Sequence, residues 1–64
     1  MKVKYDKEVD VLYICLSQKP VSESDESKPG IIIDYSMEGD LVGIEILEAS
    51  KKISLPNKVE YEVA

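Results

Sequence analysis

The sequence predicts a mainly β fold on the α+β borderline: a small antiparallel meander of four to five strands with one short helix near residues 48–53. Three observations carry this reading. Apolar and polar residues alternate with period two near both ends, over residues 2–6 and 58–63, as half-buried strands require. Residues 11–16 and 31–35 are short apolar runs rich in β-branched and aromatic side chains, which suit a pleated surface. Helical signals gather only at 48–53.

In chain order, Val3 and Tyr5 share one face of the first strand, with Lys2, Lys4 and Asp6 on the other. Residues 7–10 make a short connection. Residues 11–16 are apolar on both faces, which predicts a central strand covered on each side. Residues 18–30 hold Pro20, an acidic Ser-rich run at 22–27 and Pro29-Gly30. The segment is a polar loop or a polar edge strand, and its Pro, Ser and Gly content favours the exposed loop. Ile31-Ile32-Ile33-Asp34-Tyr35 follows as a strand. Residues 36–40 read as a hairpin turn, with Gly39 free to take positive φ.

Residues 41–47 resume as a strand with Val42, Ile44 and Ile46 on one face. Gly43 inside it permits a bulge or the close approach of another backbone or ring. Lys51 and Lys52 suit a helix C-terminus, and Pro56-Asn57 ends the helix. Residues 57–64 are a last strand, at an edge or on a partner, or a partner-binding tail.

Sixty-four residues make a single domain, 1–64. So short a chain buries only about 60% of the surface its unfolded form exposes. Cys15 is the only cysteine, so no internal disulfide reinforces the core, and a reducing compartment is expected. With no histidine and one thiol, a zinc site lacks its ligands. Oligomerisation is the remaining device: a homodimer, or an obligate partner.

Charge narrows the partner classes. The net charge is −5, from 13 carboxylates against 8 lysines and no arginine. The lysines are scattered among acids, which argues against direct nucleic-acid binding. A basic protein is the complementary partner. No apolar run is long enough to span a bilayer, and residues 1–6 carry charges where a signal peptide would be apolar. The expected location is the cytoplasm.

Catalysis lacks its usual groups. Without histidine there is no imidazole base, and Cys15 lies between Ile14 and Leu16, where a thiol packs rather than reacts. No catalytic residue and no cofactor is predicted. Paired acids at 8 and 10, 23 and 25, and 60 and 62 leave a strand on one face, as any solvated face in a chain one-third charged does. Asp34-x-Ser36-x-Glu38-Gly39, followed after five residues by Glu45, has the spacing of an EF-hand calcium loop. Its flanks are strand sequences, so the pattern predicts a β-hairpin with an acidic tip. Asp34, Glu38, Asp40 and Glu45 are its candidate metal ligands, and the alternative function is a metal- or ligand-responsive domain built on 34–45. Glu60, Tyr61 and Glu62 are the candidate partner-binding residues. The four tyrosines do not form a basic aromatic platform and are expected to pack with the hydroxyl at the rim.

The assembled residues resemble a known family. Met1-Lys2-Val3-x-Tyr5-Asp6-x-Glu8-x-Asp10-x-Leu12-Tyr13-Ile14-x-Leu16-Ser17 is similar to its opening. Pro29-Gly30-Ile31-Ile32-Ile33-Asp34-Tyr35, then Glu38-Gly39-x-Leu41-Val42-Gly43-Ile44-Glu45-Ile46-Leu47-x-Ala49-Ser50, is similar to its second half. This is the YuzE-like family of small bacterial and archaeal proteins, domain of unknown function 2283. The resemblance implies a β-rich domain and supplies no catalytic residues. It also implies an antitoxin-like role beside a small basic, ribonuclease-like toxin, although no DNA-binding segment of the kind antitoxins carry is present.

Overall fold

A computed structural model describes residues 1–54 and 58–64. Five strands form one antiparallel sheet: β1 (Lys2–Asp6), β2 (Val11–Cys15), β3 (Glu23–Lys28), β4 (Ile31–Tyr35) and β5 (Leu41–Leu47). Helix α1 (Ala49–Lys52) follows. The strand order is β1-β2-β5-β4-β3. The expected mainly β class holds, and β3, β4 and β5 run as a meander. β2, however, pairs with β5 rather than β3.

The connection after β2 explains that order. The amides of Leu16 and Ser17 donate to the Val42 carbonyl at 2.8 and 3.2 Å, and the Ser22 amide donates to the Tyr35 carbonyl at 2.7 Å. The chain is thus pinned to β5 and then to β4 as it crosses the end of the sheet. At a strand spacing of about 4.8 Å, the crossing covers three steps to the far edge. There β3 forms, which corrects the loop reading favoured for 18–30. Its six residues are all exposed, so composition carried no burial pattern. What makes it a strand is the free ladder of β4, with Glu23 opposite Tyr35 and Ser24 opposite Asp34.

A second correction concerns β2. It lies one strand in from an edge and every residue is only part-buried. The central strand is β5. The turn at 36–40 is as expected: Gly39 has φ 88°, its amide donates to the Ser36 carbonyl at 3.0 Å, and the Ser36 amide donates to the Asp40 carbonyl at 2.9 Å. Gly43 takes both of its expected roles. The β4–β5 register slips beside it, between Asp34 and Tyr35, and a Cβ there would stand 2.6 Å from the Tyr13 hydroxyl.

α1 is four residues, narrower than 48–53. Glu48 enters it at φ 50°, and the Lys51 ammonium pairs with the Glu48 carboxylate at 3.1 Å. Lys52, in the last turn, reaches back to donate to the Leu47 carbonyl at the end of β5, before the helix begins. Residues 58–64 form no strand in this chain and are exposed, so the strand reading of the C-terminal segment is corrected. Asn57 and Pro56 lie outside the described residues.

Candidate functional site: the apolar face of the sheet

Opposed residues in an antiparallel ladder project to the same face, and neighbours along a strand alternate. The registers therefore define two rows across the sheet. One runs Val3, Ile14, Ile44, Ile33, Asp25; the other runs Tyr5, Leu12, Ile46, Ile31, Lys28. Each row is four apolar or aromatic residues long and closes on a charge at β3. Ile44 and Ile46 occupy the centre, as β5 is the middle strand.

The opposite face is mixed. Its rows join Lys4, Tyr13, Glu45 and Ile32, then Lys2, Cys15, Gly43, Asp34 and Ser24. Asp34 is 5% exposed and accepts a 2.6 Å hydrogen bond from the Ser24 hydroxyl, which compensates its burial. Burial, with Asp34 nearby, pushes the Tyr13 phenol above its ordinary value. The Cys15 thiol is part-buried and donates to the Ser17 carbonyl at 3.3 Å.

Among the described residues, no second sheet or long helix covers the apolar face. Leu12, Ile14, Ile31, Ile33, Ile44 and Ile46 are all part-exposed. Among the described residues the only buried apolar side chains are Val42 and Ala49, and no large side chain is fully buried. Stable domains pack at least two layers around a core. The described residues supply one sheet and the single turn of α1.

One polar cluster fixes α1 at the sheet's end. Asp10, at φ 56°, accepts the Tyr5 hydroxyl at 2.7 Å, the Ser50 hydroxyl at 2.6 Å and the Ser50 amide at 3.0 Å. Its carbonyl accepts the Ala49 amide at 2.9 Å. The Ser50 hydroxyl first, then Tyr5, then the Ser50 amide hold the Asp10 carboxyl below its ordinary range, against a smaller opposing effect of burial. The same bond raises Tyr5 above the usual phenol value. Chemically this is a clamp: the base beside the Ser50 hydroxyl is the Asp10 carboxylate, and with its pKa lowered it is a poorer base than a free carboxylate. Sequence reading treated Asp10 as a solvated acid. The signal for the clamp was the joint presence of Tyr5, Asp10 and Ser50 in the family-like pattern.

The candidate metal ligands are not brought together. Asp34 and Glu45 lie on the mixed face, while Asp40 pairs with Lys19, and Glu38 lies 3.8 Å from the same ammonium. Among the described residues, no three His, Cys, Asp or Glu side chains are arranged to hold a metal ion. The EF-hand spacing is a hairpin, and the acidic tip is paired with one lysine from the crossing segment, Lys19. Beside it lies an open cleft of about 440 Å³ lined by Pro20, Val21 and Met37 among others. Glu60 pairs with Lys58 at 3.1 Å, and Tyr61 and Glu62 are exposed. No described helix is long and apolar enough to cross a membrane.

Fold and site define a small β protein of one antiparallel sheet with one apolar face. The model of the family described as protein of unknown function (DUF2283) matches residues 2–50, and the chain belongs to that family. The matched span contains all five described strands and ends at Ser50, the residue that closes the Asp10 clamp. No curated protein and no solved structure matches the chain.

Proposed function

We propose that this chain is a protein-interaction module that performs no chemistry of its own. The observation that carries the reading is the part-exposed apolar face, two rows of four side chains wide, on a sheet without a second layer. A contiguous apolar surface rimmed by charge is what a protein contact uses. The catalytic alternative has less to stand on, because the polar cluster around Asp10 is spent on holding α1.

A basic protein in the cytoplasm suits the remaining surface. Exposed carboxylates stand on β3 at Glu23, Asp25 and Glu26 and on the terminal segment at Glu60 and Glu62. Such charges steer encounter and set specificity. This is the surface an antitoxin-like partner of a small basic toxin would present. The test is a tagged pull-down from native cytoplasm, with the mass of the eluted complex. A stoichiometric small basic protein whose capture is lost in a Glu23→Lys, Asp25→Lys, Glu26→Lys variant supports the basic-partner reading. Capture that survives charge reversal, or no partner at all, removes it.

A further inference from the structure

We propose that the apolar face is covered by a second copy of this chain, stacked face to face across a twofold axis so that two single sheets become one sandwich. This rests on reading that face as a protein-contact surface, and it names the occupant. Three observations favour a second copy over a basic partner there.

The first is the missing layer. Two sheets stack about 10 Å apart with their strands within about 30° of each other. A second copy brings a layer of matching dimensions onto Leu12, Ile14, Ile31, Ile33, Ile44 and Ile46, none of which the monomer buries fully. A twofold contact requires one patch to complement itself. An aliphatic patch centred on Ile44 and Ile46 meets that requirement.

The second is charge. The six central side chains include no ionisable group. Asp25 and Lys28, opposite in sign, stand where the two rows end at β3, so stacking leaves them at the rim in water. A basic partner would be recognised instead by the carboxylates of β3 and of 58–64.

The third is area. The chain exposes 5210 Å², against about 4,100 Å² for a compact monomer of 7.2 kDa. Both the open face and the exposed terminal segment contribute to the excess of about 1,100 Å². A standard interface removes about 800 Å² from each partner, which is within that excess.

Sedimentation velocity of the full chain across the micromolar range should give twice the 7.2 kDa mass. Ile44→Glu should weaken association about 100-fold or more, while Lys4→Glu on the mixed face leaves the mass unchanged. Because a buried charge can also unfold a small sheet, a conservative pair keeps the question open to refutation. In a Cys15→Ser background, the thiol of Ile44→Cys should react with an aromatic disulfide reagent at least about tenfold more slowly than that of Ile32→Cys. A monomer at all concentrations overturns the proposal. If that monomer still captures a partner from cytoplasm, the interaction-module reading survives; if it captures nothing, both fall. A dimer in which position 44 reacts as fast as position 32 places the interface elsewhere and also overturns it.

Discussion

At the scale of single residues, two positions carry more of the fold than their size suggests. Gly43 lets the Tyr13 ring lie across β5: an added Cβ would stand 2.6 Å from the hydroxyl, 3.0 Å from the ring carbon bearing it and 3.2 Å from the Ile14 carbonyl. Gly43→Ala should therefore cost about 1–3 kcal/mol in urea unfolding, and adding Tyr13→Phe should recover part of that loss. If the double variant is no more stable than Gly43→Ala, the hydroxyl is not the obstacle. Asp10 is the other position. Its carboxyl titrates below the ordinary 3.8 in the folded chain, so its stabilisation is complete above the unfolded pKa and is lost as pH falls through the folded value. Asp10→Asn should thus lower stability at neutral pH, and the gap from the parent should narrow below about pH 4. A gap independent of pH would mean that the carboxylate charge contributes nothing to the clamp. Gly43's close contact was legible in the sequence, because a glycine inside a strand has few other uses. Asp10's role was not, since its partner Ser50 is forty residues away and only the fold brings them together.

At the scale of elements, legibility followed the apolar pattern. β1, β4 and β5 alternate or run apolar because each contributes to the apolar rows on one face of the sheet, and all three fall where the pattern places them. β3 has no such pattern: Glu23–Lys28 is exposed throughout and is a strand because β4 offers an unpaired ladder. The terminal segment is the converse case. Val59, Tyr61 and Val63 alternate as a strand would, yet they are 64%, 79% and 80% exposed. Alternation gives a strand only where a neighbour pairs with it. Removing residues 58–64 should accordingly change Tm by less than about 3 °C, since the change touches no buried side chain. A larger drop would show that the segment packs on the sheet in solution.

At the scale of the whole molecule, the candidate site was only half legible. Size and missing disulfides point to an outside surface for stability, and the part-exposed apolar face is where the proposed contact would form. The metal candidates rest on spacing alone, and the fold does not bring them together; Glu60, Tyr61 and Glu62 stand exposed on the terminal segment, away from the strands that build the apolar face. The apolar face is assembled from four strands whose order depends on the β2–β3 crossing, and no local pattern encodes that order. The measurement that tests the account most directly is solvent paramagnetic relaxation on isoleucine methyls of the native protein at working concentration. The account predicts that Ile14, Ile33, Ile44 and Ile46 are strongly protected while Ile32 and Ile53 are attenuated by the solvent probe. Equal attenuation of Ile44 and Ile32 would mean that nothing covers the apolar face, and would contradict the account.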